Sequence, residues 1–182
     1  MIKLMIFVIC SLIILIISWK PLKDLSSHGF YRFFAFELII VLFLINIDYW
    51  LYNPLSAFQI IAWFLLFMSI YPGIAGFYLL RKIGKPDEEI KSETNYKFEK
   101  TTKLVAEGIY KHIRHPMYAS LLYLGWGIYF KQPGLIQILL AVVISIFLFL
   151  TAKVEEKENV EKFGDEYNEY IKRSKMFVHY IF

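Results

Sequence analysis

The sequence predicts an all-α membrane protein with five transmembrane helices, in which a cytosolic loop and a carboxyl-terminal amphipathic helix form a ligand pocket. Of the 182 residues, 58% are hydrophobic and 19% are aromatic, which exceeds what a soluble domain of this size can bury. The apolar residues are gathered in long runs, and the basic residues lie in short segments between these runs. The net charge of +4 is therefore better explained by orientation in a membrane than by nucleic-acid binding, for which the sequence carries no motif.

Residues 1–80 contain three apolar runs that we predict to be transmembrane helices. The first run, residues 2–19, is long enough to cross a hydrocarbon core of about 30 Å at about 1.5 Å per residue. It lacks the strongly basic start and the small-residue cleavage site of a signal peptide. The second and third runs, residues 33–52 and 55–80, are separated by the turn-forming pair Asn53-Pro54.

The remainder of the chain alternates between charged and apolar segments. Residues 81–115 are rich in charge and are predicted to be a cytosolic loop. Residues 116–151 are predicted to be a transmembrane helical hairpin, with spans at 116–130 and 135–150. Residues 152–182 carry apolar side chains at mostly helical spacings among charges, which indicates a cytosolic amphipathic tail on the membrane surface.

The distribution of basic residues predicts the orientation in the membrane. With the amino terminus outside and the carboxyl terminus in the cytosol, 18 of the 20 lysines and arginines lie in cytosolic segments. Lys3 and Lys131 are then the two that lie outside. Because basic residues in short loops set the orientation and acidic ones contribute little, this distribution favours the amino terminus outside.

The residues before the fourth span have the pattern of a ligand-binding helix start. Pro116 suits the first turn of a helix, where its missing N–H costs nothing, so that His115 stands near the N-cap and Arg114 just before it. The unpaired N–H groups of such a helix end bind anions, for example a carboxylate or a phosphate. From spacing alone, Arg114 and His115 are equally well explained as anchors at the lipid head groups. The 15-residue span measures about 22 Å, so that its start must be sunken or its site must open at the membrane boundary.

Glu155 and Glu156 follow the fifth span directly, level with the start of the fourth. In a helical hairpin these carboxylates approach His115, and because adjacent helical residues point about 100° apart, we expect only Glu155 to face a pocket. The pattern alone also fits a solvated, charged helix start. His115 and the two glutamates do not make a recognisable zinc site, and Cys10 is the only cysteine, so no metal site is predicted.

Four motifs in the second half of the chain occur together. They are Gly108-x-Tyr110, Arg114-His115-Pro116-Met117-Tyr118, the pair Glu155-Glu156 about 37 residues later, and Phe163-Gly164-x-x-Tyr167-x-x-Tyr170. In this combination and spacing, the sequence resembles the isoprenylcysteine carboxyl methyltransferase and phospholipid methyltransferase superfamily. The resemblance covers residues 95–177, and the first three spans share only their apolar character with that superfamily.

The resemblance implies a membrane enzyme that transfers a methyl group from S-adenosylmethionine to a lipophilic acceptor entering from the membrane. The first acceptor it implies is the carboxylate of an isoprenylated cysteine or a similar prenylated thiol compound, and the second is the amino head group of a phospholipid. The alternatives are a membrane sterol reductase, which has a similar carboxyl-terminal half and binds NADPH, and a non-enzymatic membrane scaffold. The expected partners are the lipophilic substrate and membrane lipids, without nucleic acid.

The resemblance also implies site residues, with residues 81–182 together forming the catalytic, cofactor-binding part. The implied cofactor contacts are Thr102, Lys103, Leu104, Val105, Tyr110, His115, Pro116, Met117, Tyr118 and Glu155. The implied catalytic residues are Arg114, Glu155, Glu156 and Arg173.

One departure from the superfamily bears on the acceptor. Carboxyl methyltransferases of this superfamily are expected to bind the acceptor carboxylate through an arginine four residues before the first glutamate, and that position is Thr151 here. Lys153 or Arg173 could take over this role, although a lysine does not offer the bidentate geometry of an arginine.

Overall fold

The computed structural model of the protein describes residues 1–85 and 99–178. Within these residues the chain forms six α-helices, namely α1 (Ile2–Ile17), α2 (His28–Asn46), α3 (Ala57–Ile83), α4 (Pro116–Tyr129), α5 (Leu135–Phe163) and α6 (Asp165–Arg173). Short stretches of 3-10 helix lie at Pro21–Lys23, Ile47–Tyr49 and Gly108–Lys111. The all-α prediction is therefore confirmed for the described part of the chain.

Three helical segments in these residues are long and apolar enough to cross a membrane. They are His28–Tyr49, Ala57–Ile83 and Leu135–Phe163. α1 has 16 residues and α4 has 14. At about 1.5 Å per residue these two helices measure about 24 Å and about 21 Å, less than a hydrocarbon core of about 30 Å. The prediction of spans is thus supported for three helices, and α1 and α4 remain predicted spans.

Two helix pairs organise the bundle, since α3 packs along α4 and α2 packs along α5. Glycines on α3 allow a close approach between α3 and α4. A Cβ atom on Gly76 would lie 2.9 Å from Pro116 Cγ, and one on Gly73 would lie 2.8 Å from Ser120 Oγ. Because these positions have no room for a side chain, α3 sits directly against the first turns of α4.

α1 is the peripheral helix, and all its residues are exposed or half-buried. It lies mainly against α2. The Ser11 hydroxyl donates to Glu37 Oε2 at 2.6 Å, and Lys3 forms an ion pair with Asp48 near the far end of α2.

A buried lysine closes the end of the bundle that is opposite to the start of α4. Lys131, in the turn between α4 and α5, has its Nζ 3.3 Å from the centroid of the Trp63 ring. The ammonium group also donates to Gln59 Oε1 at 3.0 Å and to the Trp50 carbonyl at 3.3 Å. A cation over an aromatic face is attracted by the ring quadrupole, so these contacts fix the turn to α3.

The fifth span and the start of the tail form one continuous helix. α5 runs through residue 163, so the boundary predicted between residues 151 and 152 falls inside a helix, and the predicted tail contains the end of α5 followed by the separate helix α6. The helix continues because its charged residues have partners on other elements, such as Arg114 for Glu156. It ends at Gly164, whose φ of 58° and ψ of −133° favour glycine. α6 begins at the next residue and returns towards α4.

Candidate active site

A pocket lies at the end of the bundle where α4 begins. Its walls come from the end of α3, from α4, from the second half of α5, from α6 and from the segment that precedes α4. The space between the walls is about 570 Å³ when its opening to solvent is included. The lining residues are Leu80, Glu99, Thr101, Leu104, Val105, Tyr110, Arg114, His115, Pro116, Met117, Tyr118, Glu155, Asn159, Phe163, Tyr167 and Tyr170.

His115 stands at the start of α4, in the wall of the pocket. It is the N-cap residue with a non-helical φ of −122°, and Pro116 occupies the first turn, as the sequence predicts. The imidazole is 4% exposed and stacks on Tyr118 with the ring centroids 5.5 Å apart. The backbone N–H of His115 donates to the Met176 carbonyl at 3.1 Å, so the residues after α6 fix this helix start.

Glu155 and Glu156 point in different directions from α5. Glu155 lines the pocket, with Oε2 3.6 Å from His115 Nδ1. Glu156 faces Arg114, whose Nε donates to Oε1 at 2.7 Å, and Lys153, whose Nζ donates to Oε2 at 3.2 Å. Glu156 Oε1 also lies 3.5 Å from His115 Nε2. Burial would lower the pKa of His115, but the two carboxylates outweigh that effect and raise the pKa above its ordinary value.

Two buried polar atoms in this wall have no hydrogen-bond partner among the described residues. They are Glu155 Oε2 and His115 Nε2. Each has an oppositely charged group nearby, since Glu155 Oε2 lies 3.6 Å from His115 Nδ1 and His115 Nε2 lies 3.5 Å from Glu156 Oε1. Because both residues line the pocket, a polar ligand that bonds to these atoms would supply the missing hydrogen bonds.

Arg114 connects the start of α4 to the tail. Its Nη1 donates to the carbonyl of Ile171 at 3.3 Å and to the carbonyl of Ser174. On the same side, the Tyr170 hydroxyl donates to the Tyr110 carbonyl at 2.6 Å. Burial raises the pKa of Tyr170, so this hydroxyl remains a donor at neutral pH. These contacts hold α6 over the pocket.

A second charged cluster, formed by His28, Arg32, Glu99 and Glu158, borders the pocket on the side of α2. His28 Nδ1 lies 2.6 Å from Glu158 Oε2, and the His28 backbone N–H donates to Glu158 Oε1 at 3.0 Å. His28 Nε2 lies 3.6 Å from Glu99 Oε2, and Arg32 forms an ion pair with Glu99. Burial would raise the pKa of Glu99, but Arg32 and His28 outweigh it and lower the pKa below its ordinary value. Glu99 is therefore an ionised group in the pocket wall.

Most of the predicted cofactor contacts line the pocket. The predicted site residues that do so are Leu104, Val105, Tyr110, Arg114, His115, Pro116, Met117, Tyr118 and Glu155. Thr102 and Lys103 are exposed and lie outside the lining, and the Thr102 hydroxyl donates to the Lys85 carbonyl at 3.1 Å.

The other predicted catalytic residues lie around the pocket rather than in its lining. Glu156 is turned towards Arg114. Arg173 is exposed, with its guanidinium carbon 5.9 Å from the centroid of the Tyr170 ring. Thr151, which replaces the expected arginine, is fully buried, and its hydroxyl donates to the Phe147 carbonyl at 2.7 Å.

The sequence analysis missed four residues of the pocket lining, namely Leu80, Glu99, Thr101 and Asn159. Asn159 follows Glu155 by four residues, so helical spacing places it on the same face of α5, and this signal was available. Glu99 carries no motif, and its partners His28 and Arg32 lie far away in the sequence. Nothing in the local sequence indicated that these three residues meet.

Two curated relatives share a 70-residue stretch with this chain at 33% identity. They are methanethiol S-methyltransferase 1 of Bradyrhizobium diazoefficiens and methanethiol S-methyltransferase of Pseudomonas deceptionensis. The stretch is 38% of this chain but 24% and 26% of the relatives, so the chain matches about a quarter of their length. No solved structure matches the chain significantly.

The family can be assigned from a longer match. Residues 58–166, more than half of the chain, match the sequence profile of the phospholipid methyltransferase family. This region contains α3, α4 and α5, together with the residues at the start of α4 and the glutamate pair that carried the resemblance. The resemblance read from the motifs is thereby confirmed, and several apolar helices accompany it, as expected of an integral membrane protein. The chain therefore belongs to the phospholipid methyltransferase family.

Proposed function

We propose that the protein transfers a methyl group from S-adenosylmethionine to a lipophilic acceptor that reaches the pocket from the membrane. The family match supports methyl transfer. The choice of S-adenosylmethionine as cofactor rests on two atoms, Glu155 Oε2 and His115 Nε2. Both are buried in the pocket wall without a hydrogen bond to any described residue.

The chemistry of the pocket fits the parts of S-adenosylmethionine. The helix start at His115 and Pro116 carries partial positive charge and suits the carboxylate of the amino-acid part. The Glu155 carboxylate suits the cationic groups of the cofactor, which are the ammonium and the sulfonium. Tyr110 and Tyr118 offer flat aromatic surface to the adenine.

Methyl transfer demands little covalent chemistry from the protein. When bound, the cofactor supplies a methyl group that is already activated on a sulfonium. The protein contributes in-line positioning and the exclusion of water, and α6, held over the pocket by Arg114 and Tyr170, serves the second purpose. An acceptor such as a thiol or an amine must also lose a proton, and the Glu155 carboxylate is the group we propose to accept it.

We infer that a thiol is the acceptor rather than the carboxylate of an isoprenylated cysteine, because the positions expected to bind that carboxylate offer it no free charge. Thr151 uses its hydroxyl within α5 and offers no charge to a carboxylate. Lys153, which could take over from the missing arginine, is paired with Glu156. The relatives named methanethiol S-methyltransferases support the same choice, so we place a lipophilic thiol first, including a prenylated thiol compound. The isoprenylcysteine carboxylate and the phospholipid amino group come second.

We also propose that the pocket faces the cytosol and that the amino terminus lies outside. The support is the distribution of charge, because 18 of 20 basic residues belong to segments at the pocket end of the predicted topology. Lys131, at the opposite end, is buried under Trp63 rather than presented to a membrane surface.

Calorimetric titration of S-adenosylhomocysteine into the detergent-purified protein tests the cofactor. We expect saturable binding that is lost in Glu155→Ala and kept in Glu161→Ala, which changes an exposed glutamate on the same helix. Binding of NADPH in place of S-adenosylhomocysteine would instead indicate a membrane reductase. Binding of neither ligand would favour a scaffold.

The acceptor is tested by methyl transfer from labelled S-adenosylmethionine to three compounds in parallel. These are a long-chain alkyl thiol, an isoprenylated cysteine analogue with a free carboxylate, and phosphatidylethanolamine. We expect label in the thioether product. Label in a methyl ester or in the phospholipid instead would reject the thiol as acceptor while keeping methyl transfer.

A further inference from the structure

We propose that Glu99 is a specificity-determining residue that, together with Glu155, makes the pocket prefer the positively charged methyl donor to the uncharged thioether left after transfer. This inference rests on the proposed function, because it concerns the sulfonium of S-adenosylmethionine. Neither the sequence motifs nor the helix start at His115 assigns a role to Glu99.

The position of Glu99 places a second carboxylate in the same pocket as Glu155. Glu99 belongs to the segment before α4 and Glu155 to α5, and both line the pocket. The negative charge in this pocket therefore comes from two sides of its wall.

The surroundings of Glu99 keep its carboxylate charged and in place. The side chain is 7% exposed, and its partners Arg32 and His28 are even more deeply buried. Buried ion pairs add little net stability, because the cost of removing charges from water consumes most of the attraction. Fold stability alone is thus a weak reason for this cluster. The effect of the cluster on the pocket is to hold the ionised Glu99 carboxylate in the pocket wall.

The reaction changes the charge beside these carboxylates. The acceptor sulfur forms a bond to the methyl carbon, the bond between that carbon and the sulfonium breaks, and its electron pair stays on the donor sulfur. The sulfonium becomes a neutral thioether, and a thiolate acceptor likewise becomes neutral. Glu99 and Glu155 attract the cation before transfer and have no such attraction for the thioether afterwards. The pocket thereby favours binding of the donor and release of the spent cofactor.

Two stable ligands separate this charge effect from simple affinity. Sinefungin carries a protonated amine at the position of the sulfonium, and S-adenosylhomocysteine carries the neutral thioether. Both are titrated into the purified full-length protein and into Glu99→Gln. We expect the wild type to bind sinefungin more tightly than S-adenosylhomocysteine. In Glu99→Gln this preference should fall about tenfold, while the affinity for S-adenosylhomocysteine changes by no more than about twofold.

Glu158→Gln is the matched control, because Glu158 belongs to the same cluster through His28 but does not line the pocket. It should leave the ratio of the two affinities unchanged. An equal loss of both ligands in Glu99→Gln, or the same change of ratio in Glu158→Gln, would show that the cluster acts only structurally and would overturn the inference.

The wild type decides the matter if Glu99→Gln does not fold. Equal or tighter binding of S-adenosylhomocysteine than of sinefungin would reject the role of the two carboxylates. Binding of neither ligand to the wild type would remove the proposed function itself, and the inference with it. If Glu99→Gln does fold and binds both ligands with the same affinity ratio as the wild type, the inference is rejected while the proposed function stands.

Discussion

Replacing Arg114 with methionine is expected to lower the free energy of unfolding by about 3 kcal/mol. The Arg114 side chain is 8% exposed and donates to Glu156 Oε1 at 2.7 Å. Removing one partner of a buried ion pair typically costs about 3–5 kcal/mol, because the other charge stays buried. We expect the lower end of this range, since Lys153 and His115 remain beside Glu156.

Lys153→Met provides the comparison, because it removes the other cation beside the same carboxylate. The Lys153 side chain is 48% exposed, and a solvated pair of this kind contributes about 0.2–1 kcal/mol. Unfolding is followed by tryptophan fluorescence on heating in detergent. Combining Arg114→Met with Glu156→Gln should make the cost of Arg114→Met smaller by at least about 1 kcal/mol. Equal costs for Arg114→Met and Lys153→Met, or a coupling near zero, would refute the reasoning.

Gly164→Ala should destabilise the protein by about 1–3 kcal/mol, because a residue with a side chain is strained at φ of 58° and ψ of −133°. Gly125→Ala is the control, since its Cβ would lie at an ordinary 3.5 Å from Ile144, and it should be nearly neutral in the same unfolding assay. If the two changes cost the same, the strain argument fails. The raised pKa of His115 adds stability that is fully present below its ordinary value of 6.5 and is lost as pH rises through the folded-state pKa. The melting temperature of His115→Gln should therefore fall less steeply than that of the wild type as the pH rises above 6.5. An unchanged dependence of the melting temperature on pH would contradict this prediction. Tyr170→Phe should cost about 1 kcal/mol and weaken S-adenosylhomocysteine binding, because the Tyr110 carbonyl loses its 2.6 Å donor; unaltered affinity would show that α6 does not shape the cofactor site.

The long apolar helices were the most predictable part of the fold. A run such as the third one has few alternatives to a transmembrane helix, because backbone groups in lipid must bond within their own segment. Helix ends were less predictable. The change to charged residues at Ala152 looks like the end of a span, but α5 continues because Glu156 and Glu158 have partners on other elements. Local composition contains no information about such partners.

Some residues of the candidate site were predictable from the local sequence and others were not. The helix start at Pro116 and the approach of Glu155 to His115 follow from local rules, namely proline at a first turn and the geometry of a helical hairpin. Glu99 could not be assigned to the pocket, because its position depends on Arg32 of a helix that is distant in sequence. The glutamate pair also shows the limit of residue patterns, since one of the two lines the pocket and the other holds Arg114.

The contribution of α2 to the pocket has a consequence for how activities are transferred between relatives. The family match begins at residue 58, so His28 and Arg32 lie outside it although they contact a pocket residue inside it. An exchange of the amino-terminal helices between two family members would therefore replace part of the electrostatic environment of the pocket. A chimera designed from the shared region alone would combine the pocket lining of one protein with the α2 helix of another. Preferences for methyl donors and acceptors in this family should accordingly be compared with α2 included.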